Sequence, residues 1–518
     1  MLNKNILTRR TFIAGGASLT VAMLAARAVG GNLHEGTFDG YPFTLGVASG
    51  DPTHNGFVIW TRLAPHPLEP SGGMPSDSMA VDWEVAEDEG MNHIALRGKA
   101  IADFAWAHSI HVEVAGLRPD RWYWYRFRLR GTTSAVGRAR TLPAPGTTPE
   151  RLRFAFASCQ KYEVGYYTAY EHLIREDLDL IIFLGDYIYE KTDGDNAVRP
   201  HGLPEANTLD TYRTRYAVYK TDPALQAAHA HAPWIVTWDD HEVSNDYAND
   251  IPERSDSYSR EQFLARRAAA YRAYYEHMPL RNTARPTGSA MQLYRHFGYG
   301  HLACFHVLDT RQYRSALLAG GRRQIAGPAM LNPNATMLGS EQREWLFNGL
   351  TRSESIWNVL AQQVLMASVD RNPGPELVVD VDKWAGYEYE RRAVLRFLEK
   401  HKIANPVVLT GDIHSNWAIE LQNDFDYPEP RAVAVEFVGT SISSSGDGVA
   451  NPVYLEALLR DYPSVKFHNS ERGYVRCDLT TQEWRTDFLT VPFVSRPGAP
   501  LHTRASLHVE AGTSTLHA

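Results

Sequence analysis

Cysteine is almost missing: Cys159, Cys304 and Cys477 are the only three in 518 residues. An odd, sparse and widely spaced set builds no disulfide scaffold, and at least one thiol is left for another use. Excess positive charge is missing too, with 52 Lys and Arg against 60 Asp and Glu and a net charge of −8. That balance opposes general attraction to nucleic acid or anionic membranes, and the sequence shows no nucleic-acid-binding patch. After the first 28 residues no stretch resembles the ~20-residue apolar run of a stable membrane span. A Gly-x-Ser-x-Gly elbow, a Walker loop and a His-Glu-x-x-His segment are all lacking. Serine-hydrolase, nucleotide-triphosphatase and zincin readings therefore have no support.

What is present begins with a targeting pattern. Lys4 precedes Thr8-Arg9-Arg10-Thr11-Phe12-Ile13, an apolar stretch to Leu24 and the small-residue segment Ala26-Arg27-Ala28. Paired arginines in this setting predict a twin-arginine signal over residues 1–28, the twin-arginine export machinery as a partner, and a periplasmic or secreted protein. Its removal takes away Lys4, Arg9, Arg10 and Arg27 and no acid, so those four charges move the net charge from −8 to −12. An acidic enzyme acting on an anionic substrate then needs bound cations or a local cluster of arginines. Export of an already folded chain fits a cofactor loaded beforehand, and both points anticipate metal.

Apolar residues at 44%, with 12 Trp and 26 Tyr, supply ample core, and the length suits two folded units. Residues 41–145 carry short alternating segments, such as Phe57-Val58-Ile59-Trp60 and Ile110-His111-Val112-Glu113-Val114, between Gly, Pro and Asp turns. This predicts a smaller β-sandwich domain, similar to immunoglobulin or fibronectin modules. The Pro-rich joint LPAPGTTPE from Leu142 ends it. Residues 150–500 alternate apolar runs with helical segments, an α/β layered domain of sheets flanked by helices. Ser259-Arg260-Glu261-Gln262 is a capping box for a helix that Pro279 stops, and Ser340-Glu341 predicts another helix start.

The runs at 152–157, 180–184, 234–238, 302–308, 357–361 and 406–410 share one property. They end in Ser158-Cys159, Gly185-Asp186, Asp239-Asp240-His241, Asp309, Gln362-Gln363 and Gly411-Asp412-Ile413-His414. Layered α/β sheets build their sites at the carboxyl ends of strands, and here metal-ligand and acid/base types recur at that position. Alone, Asp186 is as readily a turn residue and His414 a structural histidine. Together with Asp240 and Asp412 they predict one metal-binding cluster. Residues two apart in an extended segment face one side, which predicts that Asp412 and His414 look into the same cluster. Tyr189 can return its phenol to the ion bound by Asp186. His241 is the candidate proton donor.

These residues resemble the calcineurin-like metallophosphoesterase pattern. The variant with Ser158-Cys159, Gly185-Asp186-Tyr187-Ile188-Tyr189-Glu190, Asp239-Asp240-His241-Glu242 and Gly411-Asp412-Ile413-His414 is similar to the alkaline phosphatase D family. The resemblance extends through Leu308-Asp309-Thr310-Arg311-Gln312-Tyr313-Arg314 and Trp384-Ala385-Gly386-Tyr387, and to Phe43 to Arg62 near the amino terminus. It implies a metallophosphoesterase domain behind a β-rich amino-terminal domain. It implies Cys159, Asp186, Tyr189 and His414 around Fe3+, with Asp186 bridging to one or two Ca2+ ions that Asp240 and Asp412 help to hold. Thiolate and phenolate suit a polarising transition metal, and carboxylates suit calcium.

The implied reaction is metal-activated attack of hydroxide on phosphorus in a phosphate monoester, with His241 as acid and no phosphoenzyme. Substrates are small phosphate esters or phospholipid head groups. Arg311 and Arg314 are candidate bidentate phosphate clamps, with surface ion pairs as their alternative use. A phosphodiesterase or phospholipase D shares this chemistry, and an exported calcium-binding module without turnover is the reading from another class.

Overall fold

Leu180–Leu184, LIIFL, is buried along its whole length, and that decides its place. A strand covered on both faces belongs in the middle of a layered sheet, where parallel pairing is the rule. It pairs in parallel with Leu152–Ala157 on one side and Trp234–Thr237 on the other, in the register Ile182↔Phe156 and Ile182↔Ile235. In the computed structural model, which describes residues 37–253, 257–370, 376–423 and 431–518, these three strands are the centre of a nine-stranded sheet. The expected signal, residues 1–28, lies outside the described residues.

The other apolar runs build a second sheet. Ala303–Val307, Trp357–Ala361 and Pro406–Thr410 pair in parallel within a seven-stranded sheet, which continues through Ala432–Val438, Asn416–Gln422 and Val465–Asn469. The two sheets face each other across one core, in which Phe154, Phe156, Ile182 and Leu184 pack with Phe305, Trp357, Val359 and Leu409. Their outer faces carry two further cores beneath helices: Ile181, Phe183 and Val236 under a tyrosine-rich helical layer, and Leu360 and Val408 under Val394, Leu395 and Leu398. Sheets flanked by helices are therefore the layers of this molecule.

Helix Arg260–His277 begins as expected, with the Ser259 hydroxyl accepting from Gln262 N at 3.2 Å and the Gln262 side chain accepting from Ser259 N at 2.8 Å. Helix Gly339–Arg352 starts one residue before Ser340, which lies inside its first turn and caps nothing; the Thr336 hydroxyl accepts from Gly339 N at 2.8 Å instead. No helix of the described residues is long and apolar enough to cross a membrane.

The amino-terminal strands divide between two sheets. Met79–Ala86, Ile94–Ala102 and Trp122–Leu129 lie in a five-stranded sheet, whereas Val47–Thr53, Gly56–Arg62 and Ser109–Ala115 extend the nine-stranded one.

 The edge strand of the five-stranded sheet is Ile94–Ala102, paired antiparallel to Met79–Ala86. The two faces close on Val47, Phe57, Ile59, Val81, Val85, Tyr125 and Phe127, a sandwich core. The junction is a parallel pairing of Gly50 with Trp234. A side chain at Gly50 would meet Pro279 O at 2.5 Å and Trp234 O at 2.8 Å, so glycine is what lets the strands approach. At the other end the sheet runs past residue 500, because His502–Glu510 pairs antiparallel with Glu483–Val491.

Candidate active site

The carboxyl ends of the central strands converge, and hydrogen bonds fix how. Cys159 N donates to Gly185 O at 3.0 Å and Gln160 N to Asp186 O at 3.1 Å, tying two strand ends together. Gly185 has φ +99°, and a Cβ there would lie 2.5 Å from both N and Cβ of Asp239, so the third strand end is equally close. Glu242 is buried and accepts from the backbone N–H groups of Asp186 at 3.1 Å, Tyr187 at 2.6 Å and Asp239 at 2.9 Å. Burial raises its carboxyl to about 7 although those three donors oppose the rise. Glu242 is an anchor for the loops.

Cys159, Asp186, Asp412 and His414 have φ of 59°, 57°, 65° and 52°. Left-handed backbone at residues other than glycine costs roughly 1–2 kcal/mol each and concentrates at functional sites. Here the turn swings each side chain off its strand direction into the space between the strand ends.

Three groups of ligand atoms result, each with its atoms within 4.8 Å of one another: Cys159, Asp186 and His414; Asp186, Asp240 and His241; and Asp239, Asp240 and Asp412. Tyr189 joins the first group, its hydroxyl 2.7 Å from Asp186 Oδ2 and 3.1 Å from His414 Nε2. All the residues expected to ligate are thus brought together. Asp412 and His414 lie in different groups of this linked set, and both have positive φ where the chain leaves extended conformation after Thr410.

His241 Nδ1 lies 2.7 Å from Glu190 Oε2, and its ring centroid lies 4.1 Å from that of Tyr189 with the rings tilted by 31°. Burial alone would lower the imidazolium, but Glu190, Asp186 and Asp240 outweigh it and hold it well above the usual histidine range. Burial likewise works against the Glu190 carboxylate, yet His241 draws it down to about 2.

Arg311 and Arg314 depart from the surface use expected as their alternative. Each is buried, so neither is a surface ion pair. Arg311 Nε donates to Asp239 and Nη1 to Asp382 at 2.8 Å, while Nη2 stands 3.5 Å from Asp240 and 3.7 Å from Asp412. Arg314 Nη2 donates to Asp382 at 2.6 Å and to Tyr247 O at 2.8 Å. Protein partners therefore hold most of both guanidinium groups, while Arg311 Nη2 makes no hydrogen bond and lies between Asp240 and Asp412. Lys383 completes the inner layer of charge, 3.0 Å from Asp382 and paired with Asp412.

The donor set fits metal. Asp239 Oδ2 and Asp240 Oδ1 are buried without a hydrogen-bond partner. Burial, followed by the charge of Asp186, pushes the Cys159 thiol and the Tyr189 phenol well above their usual ranges, and burial does the same to Asp186 itself. A cation among them reverses the balance, because it favours thiolate, phenolate and carboxylate together.

Sequence reasoning missed the places of Glu190, Glu242, Asp382 and Lys383 in this site. Glu190 and Glu242 belong to the motifs Gly185–Glu190 and Asp239–Glu242, so their residue type is visible in the sequence and their partners are not. Lys383 directly precedes Trp384-Ala385-Gly386-Tyr387, a segment that carried the resemblance.

Comparison with known proteins agrees along most of the chain. The sequence matches the family model for PhoD-like phosphatase over residues 154–488 and that for the PhoD-like phosphatase N-terminal domain over residues 30–143. It is 48% identical over 512 residues to alkaline phosphatase D of Bacillus subtilis (strain 168), an alignment covering 97% of this chain and 87% of that protein. A solved structure of PhoD has a TM-score of 0.90 and 48% identity, covering 93% of this chain and 92% of the other.

Proposed function

This chain belongs to the PhoD-like phosphatase family and is a metal-dependent phosphoric ester hydrolase, and from that premise we propose that it is an exported alkaline phosphatase cleaving phosphate monoesters, with diesters as a second substrate class. Family membership sets aside the calcium-binding module without turnover. The observation that carries the reading is the sharing of Asp186 and Asp240 among three adjoining ligand groups. One carboxylate has two oxygens and can serve two cations, so shared carboxylates suit a multinuclear centre.

Cys159, Asp186, Tyr189 and His414 would hold Fe3+, and Asp186, Asp240 and Asp412, with Asp239 beside them, one or two Ca2+ ions. When bound, such cations supply positive charge against phosphoryl oxygens and acidify the attacking water. The chain supplies the rest. Glu190 holds Nδ1 of His241, leaving Nε2 to give a proton to the departing ester oxygen. Arg311 and Lys383 offset the carboxylates that would otherwise repel an anionic substrate. Small phosphate esters and phospholipid head groups fit this chemistry, and Arg9-Arg10 supports twin-arginine export to the periplasm or beyond.

The test is turnover of p-nitrophenyl phosphate beside bis(p-nitrophenyl) phosphate at alkaline pH, with and without chelator and added calcium. Chelator-sensitive turnover led by the monoester is the expected result. Faster cleavage of the diester assigns the protein as a phosphodiesterase, of which phospholipase D action is one form. Turnover of neither ester by protein that contains iron and calcium overturns the proposal.

A further inference from the structure

One short loop grips three of the four residues proposed to hold iron. Ser441 to Ser445 follow the strand Ala432–Val438, and Ser441 pairs with Ser158 in an isolated parallel bridge. The buried Ser444 hydroxyl lies 2.8 Å from the Tyr189 hydroxyl and 2.7 Å from Cys159 O. Ser445, at φ 69°, brings its hydroxyl 2.7 Å from His414 Nδ1. Arg472 Nη1 braces the loop from behind, donating to Ser441 Oγ at 2.6 Å, His414 O at 2.7 Å and Ser444 O at 3.0 Å.

Ser444 has one proton and two acceptors, which makes its choice a physical question. Its oxygen already accepts from Lys161 N at 3.0 Å. Cys159 O already has another donor, the backbone N–H of Ser444 at 3.2 Å. A metal-bound tyrosine oxygen carries negative charge and is the stronger acceptor of the two. For His414, Nε2 faces Tyr189 at 3.1 Å, so a hydroxyl on Nδ1 selects the tautomer that leaves Nε2 free to ligate.

We propose that Ser444 and Ser445 are positioning residues that tune this metal site, Ser444 by donating to the ligand oxygen of Tyr189 and Ser445 by fixing the ring of His414. The inference rests on the reading that Tyr189 and His414 hold ferric iron. A donor to a phenolate withdraws electron density from it, so the Ser444 hydroxyl raises the energy at which the phenolate passes charge to the metal.

The experiment uses full-length protein purified with its resident metals. Elemental analysis gives iron content, and visible absorption gives the phenolate-to-iron band. Ser444→Ala is expected to keep its iron and move the band to longer wavelength. Ser445→Ala is expected to hold iron about 10- to 100-fold more weakly in a chelator titration, the usual effect of freeing a metal-bound histidine. Should Ser444→Ala fail to fold, resonance Raman of the wild-type protein in H2O and D2O decides, because a hydrogen-bonded phenolate responds to exchange of its donor. Wild-type protein without iron overturns the ferric reading and this inference with it. Iron at wild-type content with an unshifted band in Ser444→Ala, or no isotope response, overturns this inference alone.

Discussion

Glu190 is fully buried, and one of its oxygens holds His241 Nδ1 at 2.7 Å while the other accepts from Asn245 N at 2.8 Å. The pair fixes both the direction and the charge of the imidazole. In Glu190→Gln the charge is lost and an amide N–H faces a donor, so the His241 pKa falls. A general acid works only while protonated, and the alkaline limb of the rate profile therefore moves to lower pH. Alkyl phosphates, whose leaving groups need the proton, are expected to lose about 10²-fold or more in kcat. p-Nitrophenyl phosphate, with a good leaving group, loses less. Equal losses on both would contradict the acid role.

Asp186 belongs to two of the ligand groups, and its loss affects both. Asp186→Asn is expected to lower kcat/KM at least about 10²-fold, near 3 kcal/mol, and to reduce bound metal of more than one kind. Elemental analysis beside turnover checks this. Chelation of the wild-type protein should reproduce the loss, and added metal should reverse it.

Arg311 reaches four carboxylates, those of Asp239, Asp240, Asp382 and Asp412. Removing one partner from a buried ionic cluster leaves uncompensated charge, so Arg311→Met is expected to destabilise by about 3–5 kcal/mol in chelator. Calcium should recover part of that by binding the freed carboxylates. Urea unfolding with and without calcium measures both effects, and no difference between the two conditions would argue against calcium at these residues.

Lys220 is buried with its ammonium 4.3 Å from the Trp60 ring and 5.4 Å from that of Tyr187. Burial pushes its pKa from 10.5 down to about 7. Between those values the unfolded chain binds the proton and the folded one does not. Stability therefore rises with pH across that window, by up to roughly 1.4 kcal/mol per unit, and is lost as pH falls through 7. Lys220→Met should remove this slope and gain relative to wild type at and below pH 7. Thermal unfolding followed from pH 6 to pH 10 tests the sign.

Much of this was legible in the sequence because it depends on local pattern. Runs such as LIIFL and PVVLT announce strands covered on both faces, and Gly185-Asp186 and Gly411-Asp412 announce a change of role where those strands stop. Cys159 was suspicious for its rarity and its place after Ser158. Burial of charge was not legible. Whether Arg311 meets solvent or four carboxylates depends on Asp239, Asp382 and Asp412, which lie far from it in sequence and come together only when two sheets pack. The left-handed backbone at Asp412 and His414 was not legible either, since alternation describes only extended chain. Likewise the amino-terminal strands showed their alternation but not the neighbour that Gly50 gives them.

That parallel pairing of Gly50 with Trp234 has a practical consequence for anyone dissecting the chain. Cutting after the Pro-rich joint and expressing the remainder alone would strip the neighbour from Trp234–Thr237 and bare an apolar sheet edge, a template for aggregation. The two halves are therefore expected to melt in a single transition, and domain shuffling at this joint calls for a replacement strand as well as a linker.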